Sequence, residues 1–408
     1  MHLDLDFIRS QFPAFQAPDL RDQVFFENAG GSYACRQVIW RLSRFYRERK
    51  VQPYAPYRAS EMGGAEMTEA RNRLSLMMGV QPDELVMGPS TTANVHVMAQ
   101  AVRRWLSPGD AIVVTNQDHE ANTGAWRRLV ADGIEVREWA INPLTGSLEG
   151  ETLDPLLEDG RVKLVCFPHC SNVIGEINNV NRLVWRIHRA GAFACVDGVS
   201  YAPHGVPDVG RLNADIYMFS AYKTYGPHQG LMIVRRRLAD LLPNEGHVFN
   251  DGPAAMKFNP AGADHAQVAA CAGIADYIDA VHSRHSVAGR DATARAAFVH
   301  DLFRDAEVSL LQPLLDFAEA DERVRMLGPT QARERAPTVS LVHARPGVDL
   351  AKELAEHGVM CGGGDFYAPR PLRALGVDPE HGVLRLSFVH YTSAEDIDRL
   401  IEALDRVL

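Results

Sequence analysis

Between residues 84 and 236 the chain alternates short, almost unbroken apolar runs with stretches whose apolar positions recur at helical spacing. The runs at 84–87, 111–115, 134–138, 162–167, 192–196, 216–219 and 231–235 have strand length, and the stretches at 94–106 and 180–189 read as helices. Strands without a polar face, separated by helices, predict a mainly parallel sheet covered on both sides. After about residue 280 the texture changes. An Ala- and Arg-rich helix at 288–303 leads into strands at 337–343 and 383–388, with a helix at 350–357 between them and a last helix at 393–408. Ile397, Leu400, Ile401 and Leu404 form the apolar stripe of that last helix. The pattern predicts a large α/β domain followed by a smaller one. No internal repeat and no Gly-, Ser- or Pro-rich linker interrupts it.

Composition narrows the function classes. The 408 residues carry 42 Lys and Arg against 52 Asp and Glu, a formal charge of −10. That balance argues against broad nucleic-acid binding, which needs a surplus of cations to neutralise phosphates. The apolar runs fall far short of the roughly 20 residues a bilayer-spanning helix requires. Residues 1–6 show no basic region leading into an apolar stretch, so no secretory signal is expected. The six cysteines (35, 166, 170, 195, 271 and 361) form no CxxC pair and mostly sit in apolar runs, the pattern of free thiols in a reducing cytoplasm. Cys166, His169 and Cys170 lie close together, but no second ligand pair accompanies them and no metal is expected.

In an open α/β sheet, ligands bind beyond the carboxyl ends of the strands, and the residues there form a coherent set. Ser90, Thr91 and Thr92 follow the first strand and open a helix, as an ordinary cap or as an anion site. His119 follows the second strand, where a structural role, ring stacking or pairing with a carboxylate are all open. Asn172 follows the strand at 162–167. Asp197 follows the next and either caps a helix or faces a cationic ligand. Lys223 follows the strand at 216–219, among Ser220, Tyr222 and Gly226 rather than other charges. A buried lysine is costly unless paired or covalently used. A lysine for a Schiff base and an aspartate for a protonated ring nitrogen are the two protein groups that pyridoxal phosphate requires. An anion cradle at Thr91–Thr92 and a stacking ring at His119 complete the set.

On these residues the chain resembles the class V aminotransferases, in their cysteine-desulfurase-like branch of fold-type I pyridoxal-phosphate enzymes. The resemblance runs from Val24–Gly30 through Ser90–Thr92, Asp118–Asn122, His169–Asn172, Asp197–Gly198 and Ser220–Lys223 to Val383–Ser387. It implies a fold-type I homodimer with its active site at the subunit interface and a seven-stranded, mainly parallel sheet in the large domain. Residues 1–20 would be an N-terminal arm packing with the small domain, 21–280 the cofactor-binding domain and 281–408 the small domain. By the same resemblance Lys223 would hold pyridoxal 5'-phosphate and move protons. Asp197 would bond the ring nitrogen, His119 would stack on the ring, and Asn172 would lie near its phenolic oxygen. Thr91, Thr92, Ser220 and Tyr222 would bind phosphate, and Arg385 would clamp the substrate carboxylate. Asn28 lies in the family's N-terminal active-site turn and is expected near the substrate.

The departures matter as much. Relatives often carry Gln near the phenolic oxygen where this chain has Ser200, so that bond is absent or made through water. The stretch 259–264 lacks the Thr that a neighbouring subunit usually adds to the phosphate site, leaving backbone N–H groups such as that of Ala263. Where true desulfurases carry a persulfide-forming Cys, this chain presents Tyr367. Cys361 lies upstream and reads as structural, and Gly362–Gly364 allow either close backbone approach or a mobile loop. Arg58, with Tyr57, precedes a helix expected to begin near Ala65 and is a candidate for a second acidic group of the substrate. The leading expectation is a lyase acting on an α-amino acid, eliminating a β-substituent, with C–S cleavage as one form, and without the usual persulfide cysteine. The alternatives are transamination, epimerisation or bond formation at the β-carbon, and a non-catalytic binding or sulfur-carrier protein.

Overall fold

The computed structural model describes residues 2–287 and 289–408. Met1 of the expected arm and Ala288, the expected first residue of a helix, lie outside the described residues. A short strand, β1 (Val24–Phe25), precedes β2 (Leu85–Gly88), β3 (Ala111–Thr115), β4 (Glu135–Trp139), β5 (Val162–Pro168), β6 (Phe193–Asp197), β7 (Ile216–Ser220) and β8 (Gly230–Val234). The last seven form one sheet in the order β2-β8-β7-β6-β5-β3-β4. Only β8 runs against the others in that sheet, so β2 to β7 all point their carboxyl ends to one edge. The mainly parallel seven-stranded sheet expected from the sequence is there.

Alternation along each strand explains why both faces are covered. In β5, Leu164 and Cys166 join a core with Trp126, Val102 and Met218, while Val165 and Phe167 join the opposite core with Leu183, Ile187 and Tyr217. A strand buried on both faces has no polar positions to spare, hence the unbroken apolar runs. Cys166 and Cys195 are consumed in this packing. At the sheet's edge β4 carries Glu135, Arg137 and Glu138 on its more exposed positions, a charged border that discourages pairing with another chain.

Among the element starts that differ from expectation, three have a clear local reason. The first strand begins at Leu85, because Glu84 closes a short turn by accepting the Gln81 and Arg236 N–H groups, both at 3.0 Å. The strand expected at 231–235 begins at Gly230, where an added Cβ would come within 2.3 Å of the Ser90 carbonyl carbon. This close approach sets β8 against the start of the helix Thr91–Trp105. The helix expected near Ala65 spans Arg58–Met77. Gly63 and Gly64 sit inside it as contact points rather than a break, since a Cβ on Gly64 would meet the Tyr54 ring at 2.6 Å.

The C-terminal part contributes β9 (Arg325–Leu327), β10 (Thr338–Val342), β11 (Val359–Met360), β12 (Gly362–Gly364) and β13 (Val383–Ser387). β12-β13-β10-β9 make an antiparallel sheet, and β11 pairs with β1. Leu341, Leu384 and Leu386 pack with Leu311, Leu315, Leu400 and Leu404 from the helices Ala292–Ala320 and Ala394–Val407. Of the three glycines, Gly362 and Gly363 resolve toward close approach, while Gly364 has open space and a φ of 139°. A Cβ on Gly363 would lie 2.1 Å from the Gly347 carbonyl oxygen. Phe12 of the N-terminal segment packs edge-on against Tyr225, Tyr277 and Tyr391, and Arg9 pairs with Asp396. Among the described residues no helix is long and apolar enough to cross a membrane.

Candidate active site

The carboxyl ends of β2, β3, β5, β6 and β7 deliver their residues to one place. Two connected cavities meet there. The outer cleft, of about 530 Å³, is lined by Glu27, Thr92, His119, Asn172, Tyr222, Lys223, Phe366, Tyr367 and Arg385 among others. The inner pocket, of about 60 Å³, is lined by Thr91, Thr92, Asp118, Asp197, Ser200 and Ser220. His119, Asn172, Tyr222 and Lys223 border both.

The helix Thr91–Trp105 starts where β2 ends. Ser90 caps it by accepting the Ala93 N–H at 3.1 Å. The first N–H groups of the helix then have no intrahelical partner and carry the positive end of its dipole. Thr91 Oγ1 and Ser220 Oγ lie 2.8 Å apart at this spot. Two hydroxyls, free N–H groups and a cavity make a cradle for an anion.

Asp197 is the last residue of β6. One carboxylate oxygen accepts the Val199 N–H at 2.8 Å, and the pocket opens beside it. Burial pushes its carboxyl up to about 6, against the lowering effects of that N–H and of Lys223. Asp118 borders the same pocket, held by the Asn122 side-chain amide at 2.7 Å and the His119 N–H at 2.8 Å. Burial, and then the Asp197 charge, raise Asp118 well above the usual carboxylate range. Two neighbouring buried carboxylates resist carrying both charges at once, so the pocket favours a cationic group beside them.

Lys223 closes the turn after β7. Burial and then Arg385 pull its amine down to about 8, while Asp197 and Glu27 act the other way. At neutral pH about a tenth of the molecules present a free amine there, far more than an exposed lysine offers. Burial, with the Lys223 and Arg385 charges, takes His119 down to about 3. Its Nδ1 accepts the Ala121 N–H at 3.0 Å, so the neutral ring carries its proton on Nε2 and presents a flat face.

Arg385 sits at the middle of β13 and is only 3% exposed. Its Nη2 donates to Glu27 Oε1 at 2.8 Å and its Nη1 to the Asn172 carbonyl at 3.2 Å, and the Phe366 ring lies 3.7 Å from the guanidinium carbon. Burial lowers its pKa and Glu27 partly offsets this. Phe366 and Tyr367 both adopt left-handed backbone, with φ of 53° and 56°, at roughly 1–2 kcal/mol each. The surroundings hold them there. The Asn172 side-chain amide donates to the Phe366 carbonyl at 3.0 Å, the Glu120 N–H to the Tyr367 carbonyl at 2.8 Å, and Arg370 pairs with Glu120. Tyr367 stands 72% exposed at the mouth, its ring 5.7 Å from that of His119.

Lys223, His119, Asp197, Thr91, Thr92, Asn172, Ser200, Ser220, Tyr222, Tyr367 and Arg385 all line these two cavities. Asn28 and Arg58 line neither. Asn28 is buried and accepts the Tyr391 hydroxyl at 2.6 Å, while its neighbours Glu27 and Ala29 face the cleft. Arg58 is the exposed first residue of its helix. Sequence reasoning missed Glu27, Asp118, Phe366 and Arg128. The first three sit beside or inside motifs already quoted, whereas Arg128 carries no local signal.

The donor set fits pyridoxal phosphate. The anion cradle, the buried Asp197 carboxyl in the inner pocket, the lowered amine and the flat neutral ring match its phosphate, ring nitrogen, aldehyde and ring face. Asn172 Oδ1, buried without a partner, adds an open acceptor beside them.

Known proteins are similar to this chain in sequence and in fold. A family model for the class V aminotransferases matches residues 24–400. The chain is 31% identical to the aminotransferase-like protein FGM3 of Gibberella zeae, over 98% of each chain. It is 25% identical to a cysteine desulfurase of Serratia proteamaculans, covering 100% of this chain and 99% of that one. In fold it is similar to the crystal structure of the cysteine desulfurase CsdA from Escherichia coli, with a TM-score of 0.82, 24% identity and coverage of 100% and 99%.

Proposed function

The chain belongs to the class V aminotransferase family of pyridoxal-phosphate-dependent enzymes, and from that premise we propose that it is a desulfurase-like lyase. Its substrate would be an α-amino acid bearing a leaving group on the β-carbon, and it would release that group without forming a persulfide on a cysteine. The observation that carries the reading is the composition of the outer cleft, which Tyr367 borders and no cysteine does among the described residues. Cys361 packs against the small-domain core, and burial, with Glu27 beside it, pushes its thiol up to about 12. A thiol held so far above neutrality is a poor nucleophile.

Pyridoxal phosphate, when bound, supplies a sink for the electrons left on the α-carbon after proton loss. Lys223 would hold it and take the α-proton, a task suited to an amine with a pKa of about 8. Asp197 would pair with a positive ring nitrogen. His119 would cover one ring face, and Asn172 and Ser200 would border the ring's edge. Thr91, Thr92, Ser220 and Tyr222 would hold the phosphate. Arg385 orients the substrate carboxylate with its planar fork. Tyr367 gives the departing group its proton at the mouth of the cleft. The products are the β-substituent as its acid, ammonia and a 2-oxo acid after hydrolysis by one water.

The homodimer, the cytoplasmic location and the division at 1–20, 21–280 and 281–408 belong to the same proposal. Exposed Trp40 and Phe249 support a subunit contact. A panel of β-substituted amino acids, incubated with and without a 2-oxo acid acceptor, tests the reaction. A 2-oxo acid formed without an acceptor supports elimination. Turnover that needs an acceptor indicates transamination instead and defeats the reading.

A further inference from the structure

Arg385 meets another carboxylate in the cleft before any substrate arrives. Glu27 follows β1, and its backbone is pinned beside Ser387, two residues past Arg385. A slot is built for its side chain. A Cβ on Gly30 would lie 2.7 Å from Glu27 Oε1, and one on Gly362 would lie 2.8 Å from Oε2. Larger residues at either position would push the carboxylate aside.

The bond between the two charges is incomplete. Glu27 Oε1 takes Nη2, but Oε2 is buried with no hydrogen-bond partner, and so is Arg385 Nε. Buried ion pairs ordinarily close both bonds, because an unmatched buried polar atom costs free energy. Here one acceptor and one donor stay open, so the pair is held short of its strongest geometry.

The shape of a guanidinium makes this consequential. Two of its edges can grip a carboxylate with parallel bonds, Nε with Nη2 and Nη1 with Nη2. Both include Nη2, which carries two N–H groups; Glu27 takes one of them, and Nη1 already serves the Asn172 carbonyl. We propose that Glu27 is a specificity-determining residue that competes with the substrate carboxylate for Nη2 of Arg385. A carboxylate gripped by two parallel bonds then shares Nη2 with Glu27 and meets its negative charge at close range. Glu27 thereby weakens binding of simple amino acids and leaves the grip to substrates whose other contacts offset the exchange. The inference rests on the reading of Arg385 as the carboxylate grip.

The test is calorimetric titration of the cofactor-loaded protein with 2-methylalanine, an α-amino acid with no α-proton to lose, and with its amide. Glu27→Gln is expected to tighten binding of the acid about tenfold, the scale of one charge-assisted hydrogen bond, and to leave the amide unchanged. Gly30→Ala, which displaces the Glu27 carboxylate without deleting it, is expected to act in the same direction and carries the test if the first variant fails to fold. Unchanged or weaker binding of the acid in the variants that fold overturns the proposal. So does equal tightening of acid and amide. Arg385→Gln separates the two readings. If it leaves binding of the acid intact, the carboxylate grip itself is wrong; if it abolishes binding while the Glu27 variant shows no gain, only the role of Glu27 is wrong.

Discussion

Replacing Lys223 with methionine should stabilise the cofactor-free protein at neutral pH. Burial, with Arg385, holds the Lys223 amine at about 8 instead of 10.5. At about 1.4 kcal/mol per pH unit, carrying the charged form into the fold costs about 3 kcal/mol. The unfolded chain, where lysine titrates normally, binds more protons than the folded one between those two pH values. Wild-type stability therefore rises as pH climbs from about 8 to 10.5, and below 8 the full penalty is present. Methionine has similar length, no charge and no such pH dependence. For a chain of 408 residues, 3 kcal/mol corresponds to a melting temperature about 3–4 °C higher. Differential scanning calorimetry of both cofactor-free proteins at pH 7 and pH 10 measures it. The gap should be largest at pH 7 and fall to about a quarter of that at pH 10. A variant that melts at or below the wild type at pH 7, or a gap that does not change with pH, would refute the assigned electrostatics. Loading with cofactor should reverse the order, since only the wild type can hold it covalently.

Other substitutions probe the remaining parts. Arg385→Lys loses the planar fork and should raise KM for the carboxylate substrate roughly 10- to 150-fold, with little change in kcat, as steady-state kinetics would record. Cys361→Ser should leave product release within about twofold of wild type, because a thiol raised so far takes no part in the reaction; a loss of two orders of magnitude in the folded variant would restore a persulfide mechanism. Trp126 is fully buried and donates from Nε1 to Asn122, which in turn holds Asp118. Trp126→Ala should cost about 3–5 kcal/mol in urea unfolding through the cavity it leaves.

Much of this molecule is written locally. Strands buried on both faces announce themselves as apolar runs, and the residues just past them converge because β2 to β7 share one direction. That is why Lys223, Asp197, His119, Thr91 and Ser220 could be found from their positions alone. Where contacts join distant segments, the sequence is silent. The pairing of Glu27 with Arg385 spans most of the chain, and nothing in either neighbourhood reveals it. Asn28 shows how a motif can mislead by one residue. The chain turns here, with the Gly30 N–H on the Glu27 carbonyl at 3.0 Å, so the cleft receives Glu27 and Ala29 while Asn28 turns toward Tyr391. At Arg58 the two glycines inside the helix hid its true start. The reversed direction of β8 also escaped, because an antiparallel strand buried on both faces has the same apolar pattern as a parallel one.

The central claim is that Lys223 is the attachment point for pyridoxal phosphate. Borohydride reduction of the loaded protein, followed by peptide mass spectrometry, tests it directly. The account predicts a single cofactor adduct on Lys223, absent from the Lys223→Ala variant together with the visible absorbance. An adduct on another lysine, or a protein that stays colourless with excess cofactor, would contradict it.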